Sequence, residues 1–325
     1  MKILNIQLFS IDTSYSNQLT MGITENNYPV VCYGEILWDI LPKGAVPGGA
    51  PMNVAYNLNK LGLATAMVTR VGTDVEGQAL INIMNSHRIT TEYFQLDNQL
   101  PTGKVIAQIS TDNEVSYNII EQVAWDNIGL SGKLEQLIAN TEYFVFGSLA
   151  TRSEQSRKTL FSLIEMAPFK VFDINLRPPY YNRPLIEKLL SDVQLLKMNL
   201  AEAFLISGWY GDYTDTADQM QFLQDRFKIP NIMVTKGADG ALLNKNGTIY
   251  KHAGYKVLVA DTVGSGDASL AGLIANWKQA EDPSDSLAFS SALGALIATK
   301  YGACPEYDIK EIDLLVHNCN TLRKT

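Results

Sequence analysis

DTVGSGDASLAG, residues Asp261–Gly272, sets two aspartates six residues apart, fills the gap with small residues and runs straight into an apolar helix. Gly264, Ser265 and Gly266 leave their backbone N–H groups uncovered, and a helix start adds unpaired donors and positive dipole character. Such a turn attracts anions. Asp267 then has two readings. It is either the N-cap of the helix, a position that favours aspartate, or a carboxylate held inside an anion cradle.

Outward from this stretch, apolar and β-branched runs recur at 30–37 (VVCYGEIL), 64–72, 143–150, 170–175, 193–199 and 231–237, each reading as a buried strand. Helical patterns lie between them: Val54, Leu58 and Leu61 share one face, as do Leu160, Leu163 and Ile164. This alternation predicts an α/β fold, a central mostly parallel sheet with helices on both faces. Two segments break the rhythm. TGKVIAQIS and EVSYNIIEQ, joined by turn residues Thr111, Asp112 and Asn113, predict a hairpin over 103–123 that projects as a small β lid or a contact to a second copy. GALLNKNGTIYKH carries Asn246-Gly247, the signal of a type I′ turn. The C-terminal third is expected to hold a long apolar helix over 287–303 and then a less patterned tail. Residues 30–325 read as a single domain, preceded by an irregular extension over 1–29 in which Met21 is an alternative start.

The chain has 325 residues, enough for a sizeable core. Its net charge is -8, with 26 basic against 34 acidic residues and no basic run, which argues against a nucleic-acid partner. The opening apolar run is too short to span a membrane. Cys32, Cys304 and Cys319 show no C-x-x-C spacing, which fits a reducing cytoplasm. His87, His252 and His317 are too scattered to read as metal ligands.

In an open parallel sheet, ligands collect at the carboxyl ends of the strands. The polar residues expected there are Asp39, Gly48, Gly49 and Asn53 after the first strand, then Asn175 and Arg177. Asn199 and Glu202, Thr235, Gly237 and Gly240, and Asp261 to Asp267 follow after the later ones. No G-x-x-x-x-G-K-[ST] is present, and the third position of a dinucleotide fingerprint after Gly264 and Gly266 is Ser269. G-x-S-x-G is absent too, which leaves acyl transfer unsupported. A phosphate cradle containing a carboxylate remains. Phosphoryl transfer to an alcohol needs that combination, donors for the charge on the transferred group and a base for the hydroxyl proton.

GGAPMNVAYNLNKLG (48–62) and DTVGSGDASLAG, joined by Asn199-x-x-Glu202 and VTKGADGALL (234–243), resemble the two signatures of the ribokinase-like carbohydrate kinases, also called the phosphofructokinase B type. The likeness runs from about Cys32 to about Pro305. It implies a ribokinase-like fold, ATP and Mg2+ as cofactors, and a small-molecule sugar as acceptor. By the resemblance, Asp267 is the catalytic base and Gly264, Ser265 and Gly266 form the anion hole. Asp39, Gly48, Gly49 and Asn53 would bind sugar, a carboxylate and an amide suiting vicinal hydroxyls. Asn199 and Glu202 would order magnesium and its waters, the alternative being an exposed first helical turn. Thr235, Gly237 and Gly240 would lie beside the nucleotide, and Ser291 would stand on the adenine wall where asparagine is common. Relatives with a monovalent-cation (K+) site use carbonyls at positions matching Asp261, Val263, Ile297, Lys300 and Gly302.

GEILWDILP (34–42) and FDINLRPPYY (172–181) resemble the fructokinase branch, which implies fructose as acceptor. FDINLR is also similar to 2-keto-3-deoxygluconate kinases, in which Arg177 would meet a carboxylate; equally, it could hydrogen-bond a neutral ketose or brace the loop. Ribokinase is a further alternative. A catalytically silent sugar sensor is the reading from another class, and the intact Asp267 with its glycine turn argues against it.

Overall fold

The computed structural model describes residues 28–41, 44–109, 115–277 and 282–322. The extension expected over 1–29, save Tyr28 and Pro29, and the turn at Thr111, Asp112 and Asn113 lie outside the described residues. In chain order the strands are β1 (Val30–Tyr33), β2 (Leu37–Leu41), β3 (Gly44–Gly48), β4 (Thr65–Gly72), β5 (Phe94–Asp97), β6 (Gly103–Ile109), β7 (Val115–Ile119), β8 (Tyr143–Gly147), β9 (Lys170–Asp173), β10 (Leu195–Asn199), β11 (Asn231–Thr235), β12 (Ala241–Lys245) and β13 (Thr248–His252). The α-helices are α1 (Ala50–Lys60), α2 (Val75–Ser86), α3 (Gly132–Ala139), α4 (Glu154–Met166), α5 (Arg183–Leu190), α6 (Leu200–Gly208), α7 (Thr216–Phe227), α8 (Ser265–Asn276), α9 (Pro283–Ala298) and α10 (Ile309–Leu322).

Nine strands form the main sheet in the order β13-β12-β11-β10-β9-β8-β1-β4-β5. It is parallel from β5 to β11 and closes with the antiparallel pairs β11–β12 and β12–β13. Successive strand residues point to opposite faces. Val30, Cys32, Val145, Val171, Leu195 and Met233 therefore face one way, against Val54 and Leu58 of α1, Leu270 and Leu273 of α8 and Leu287 of α9. Val31, Tyr33, Phe144, Phe172, Leu196 and Ile232 face the other, against Leu160 and Leu163 of α4, Ile186 of α5, Ile206 of α6 and Leu223 of α7. Both faces are covered, so the strands carry unbroken apolar runs instead of alternation. At roughly 1.5–3 kcal/mol for each large apolar side chain buried, these two clusters dominate the stability.

The second sheet differs from expectation. The run 30–37 is not one strand: at Gly34, with φ 139°, the chain leaves the main sheet, and Leu37 begins β2. β2 and β3 join β6 and β7 in a four-stranded sheet ordered β3-β2-β6-β7, so the hairpin at 103–123 is half of a larger element. The alternation of Leu37, Asp39 and Leu41 against Trp38 and Ile40 carried that signal, hidden by its fusion to the apolar VVCY. Asn246 and Gly247, with φ 51° and 88°, make the expected turn between β12 and β13.

Two further boundaries move. The helix predicted over 287–303 spans Pro283–Ala298, and the chain from Thr299 to Ala303 leaves it. The tail forms α10, whose Ile312, Leu315 and Val316 pack into the cluster around Met67, Leu80 and Leu296. That spacing is helical, and the reading as an unpatterned tail overlooked it.

Candidate active site

A cleft of about 1140 Å³ opens between the carboxyl ends of β9, β10 and β11 and the inner face of the second sheet, with Leu37, Asp39, Leu41, Val46, Val105 and Ile119 forming that wall. The structure brings Asp39, Gly49, Asn53, Arg177, Asn199, Thr235, Gly237, Gly240, Ser291 and the turn Asp261–Asp267 together along its lining, with Gly302 beyond. Gly48, Glu202, Ile297 and Lys300 do not line it. Gly48 pairs with Leu37 in the strand register, and a Cβ there would collide with Asp39 Oδ2.

The turn at 264–267 is built as a helix entry. Gly264, with φ 76°, is the N-cap of α8, and a Cβ on it would lie 2.6 Å from Ala303 Cα. Only glycine allows that approach. Asp267 is therefore not the cap: it stands two residues inside α8, and its Oδ2 accepts from Asn53 Nδ2 at 2.7 Å. This removes the capping alternative. Ser265 N–H donates to Thr262 O at 3.2 Å and its Oγ to Gly294 O at 2.8 Å, which ties the turn to α9. Among the described residues the N–H groups of Gly266 and Asp267 meet no protein acceptor, as expected for a first helical turn that holds an anion.

Burial pushes the Asp267 carboxyl up to about 6; Lys197 opposes the rise, Asp173 adds to it, and Asn53 and Arg177 oppose it. Burial likewise lifts Asp39 to about 6 against the pull of Arg177. A general base poised within reach of neutral pH suits proton transfer.

Three polar residues of this site went unnoticed in the sequence. Glu35 is buried beneath the start of α1; the backbone N–H groups of Glu35 and Ala50 favour its charged form, while Oε2 lacks a hydrogen-bond partner. Lys197 and Asp173 form a buried ion pair, Nζ lying 3.0 Å from each carboxylate oxygen. A lysine inside the apolar run VQLLKMN and an aspartate inside KVFDIN were the available signals, because charged residues are almost never fully buried without a partner.

Glu202 stands behind Asn199, off the lining of the cleft. Its Oε2 accepts from Asn199 N–H and its Oε1 from Leu176 N–H, both at 2.8 Å, while Asn199 Oδ1 accepts from Glu202 N–H at 2.9 Å. This capping box starts α6 and fixes the loop carrying Arg177. Asp261 joins two loops, its carboxylate accepting from Val263 N–H and Gly302 N–H, each at 3.1 Å. The Lys300 side chain pairs with Glu311, which leaves its carbonyl uninvolved. Among the described residues there is no group of three or more His, Cys, Asp or Glu suited to a metal, and no helix is long and apolar enough to cross a membrane.

Glu35 makes the fold sensitive to pH. Burial pushes it from 4.5 up to about 7, opposed by its backbone donors and Arg177. The folded chain thus holds this proton more tightly than the unfolded chain, so stability present at pH 5 is lost as pH rises through the window 4.5–7. At about 1.4 kcal/mol per pKa unit, the share of Glu35 is roughly 3 kcal/mol. Chemical denaturation at pH 5 and pH 8 should show the loss, and Glu35→Gln should reduce it, the rest coming from Asp39 and Asp267, both lifted to about 6; an unchanged profile in that variant would exclude Glu35 as a contributor.

Residues 44–310 match the sequence pattern of the pfkB family carbohydrate kinases. The chain belongs to that family. As a pfkB carbohydrate kinase it is a phosphotransferase with an alcohol group as acceptor. It is 26% identical over 316 residues to probable fructokinase-7 of Arabidopsis thaliana, covering 88% of this chain and 92% of the relative. It is also 26% identical to the fructokinase of Klebsiella pneumoniae, covering 86% and 95%. The structure of fructokinase with bound ATP from Xylella fastidiosa superposes with a TM-score of 0.80 at 21% identity, over 90% of this chain and 99% of that one. Aminoimidazole riboside kinase from Salmonella enterica gives 0.75 at 22% identity, over 88% and 99%. At these identities the structural likenesses establish the ribokinase-like fold of this pfkB kinase.

Proposed function

We propose that this carbohydrate kinase is an ATP-dependent fructokinase that makes fructose 6-phosphate, with Asp267 as the base. The observation that carries the reading is the Asp267 carboxylate, held by Asn53 at 2.7 Å beside the unpaired N–H groups that open α8. Asp267 would take the proton of the sugar hydroxyl as that oxygen bonds to the γ-phosphorus and the bond to the β–γ bridging oxygen breaks, releasing ADP. The N–H groups of Gly266 and Asp267, left open by Gly264, which has no side chain, and by the small Ser265, receive the charge of the moving phosphoryl group.

At the sugar end, Asp39 accepts from vicinal hydroxyls and Asn53 lies beside the reacting one. Arg177 is surrounded there by the charges of Glu35, Asp39 and Asp267. The Asp39 and Asp267 carboxylates beside that guanidinium disfavour a sugar acid and support a neutral ketose. Relatives named as fructokinases support the same choice.

Thr235, Gly237 and Gly240 would flank the nucleotide phosphates, and Ser291 the base. Magnesium keeps several waters and takes few direct protein ligands. Glu202 fits that arrangement, since both its oxygens already accept backbone N–H groups behind Asn199 and would reach the ion through water. The ion's role is to neutralise phosphate charge. A potassium ion belongs to the same proposal, its carbonyl ligands at Asp261, Val263, Ile297, Lys300 and Gly302; Asp261 holds the first of these loops to the last.

The test is ADP release with magnesium over a panel of fructose, ribose, 2-keto-3-deoxygluconate, adenosine and fructose 6-phosphate. Fructose should give the highest kcat/KM. A higher value for any other member would overturn the assignment.

A further inference from the structure

Lys197 and Asp173 face each other as a register pair on the neighbouring strands β10 and β9, with side chains 7% and 4% exposed. Two of the three ammonium donors serve the two oxygens of Asp173, which leaves one. Gly266 lies beside that donor: a Cβ built there would stand 3.1 Å from Nζ. The ammonium therefore lies against the first turn of α8, where the N–H groups of Gly266 and Asp267 are unpaired, and Lys197 lines the cleft.

The charges facing Lys197 are Asp173 on β9, Asp267 on α8 and Glu202 on α6. Burial alone would lower its pKa, and these carboxylates outweigh that and raise it, so the ammonium stays charged. A buried ion pair is weak grounds for stability, because apolar replacement of both partners is often neutral or better. Without Lys197, three carboxylates would surround the point at which an anionic phosphoryl group has to arrive.

We propose that Lys197 is a positioning residue of phosphoryl transfer: held by Asp173 against Gly266, its ammonium keeps the floor of the anion hole positive beside the Asp267 carboxylate. The inference rests on the kinase reading above. No proton moves at Lys197; the proton of the acceptor hydroxyl goes to Asp267, and the fixed cation offsets charge on the phosphoryl group as it passes.

Lys197→Met strands the buried Asp173 carboxylate and risks unfolding, so the decisive variant is Asp173→Asn/Lys197→Met, which removes both charges. The double variant should regain thermal stability relative to Lys197→Met while its kcat stays down by roughly 10²-fold, the scale of one lost anion-hole donor. KM for fructose and for ATP should stay unchanged, as for an interaction made only in the transition state. Calorimetry supplies a readout independent of turnover. In the wild type with fructose present, fluoroaluminate, a planar mimic of the phosphoryl group, should tighten ADP binding. The double variant should lose that tightening and bind ADP alone as before. A stable double variant with wild-type kcat, or with intact fluoroaluminate tightening, would make the pair purely structural and overturn the proposal. A wild-type chain inert toward every sugar of the panel would instead overturn the kinase reading, and this inference with it.

Discussion

Asp267→Asn is expected to lower kcat by roughly 10²–10⁴, the range for loss of a general base, with sugar and ATP still bound. The substitution keeps the shape of the side chain, and the amide oxygen can still accept from Asn53 Nδ2, now at 2.7 Å from the carboxylate. It removes a proton acceptor and one buried negative charge. Fold stability should not fall, because the N-cap of α8 is Gly264 and Lys197 keeps its partner Asp173. The wild-type acid limb should follow from the same group: with the Asp267 carboxyl pushed up to about 6, chiefly by burial, kcat/KM should drop as pH falls through that value, because the protonated acid cannot take a proton. Steady-state kinetics across pH 5–8, with calorimetric binding of fructose and a non-hydrolysable ATP analogue, checks both halves. Wild-type turnover in Asp267→Asn would remove the residue from catalysis.

Asp39→Ala should reduce kcat/KM for fructose by roughly 10²–10⁴ through sugar affinity, because hydrogen bonds to a charged group contribute about 1.5–3 kcal/mol each and two vicinal hydroxyls are at stake. Asp39 sits on β2 in the middle of the cleft wall, between Leu37 and Leu41, so its carboxylate is presented from a rigid strand with apolar neighbours. KM for ATP should change little, since Thr235 and Gly237, proposed to flank the nucleotide, lie at the end of β11 and just after it, on the other sheet. Comparable losses for sugar and ATP would mean that Asp39 supports the cleft without reading the sugar.

Much of the architecture was readable because it rests on local chemistry. Unbroken apolar runs of four to eight residues separated by helical spacing mean strands buried on both faces, wherever those strands end up. Asn246-Gly247 supplies its own turn through two residues that tolerate positive φ. The glycine turn before α8 announces uncovered N–H donors from composition alone. These features carry the α/β class and, through two motifs in order, the family. The errors came where one local pattern ran into another: VVCY merged with GEIL because nothing in an apolar run marks the point at which a chain changes sheets, apart from Gly34.

The partners within the cleft depend on the assembled chain. Asn53 meets Asp267 across 214 positions, and Cys304 Sγ lies 3.4 Å from Asn53 Oδ1 across 251. Lys197 meets Asp173 because β9 and β10 pair in one particular register; a slip by one residue would turn either side chain to the opposite face. Asp267 reads as a cap or as a base from its own segment; φ at Gly264, which makes that glycine the N-cap, and the amide donated by α1 argue against the cap. The sequence by itself determined which segments are strands and helices, because backbone preference and apolar period are properties of neighbouring residues. Tertiary structure decided which charges are buried together and which carboxylates rise in pKa, because desolvation and Coulomb interaction depend on distance in space, and separation along the chain does not encode that distance.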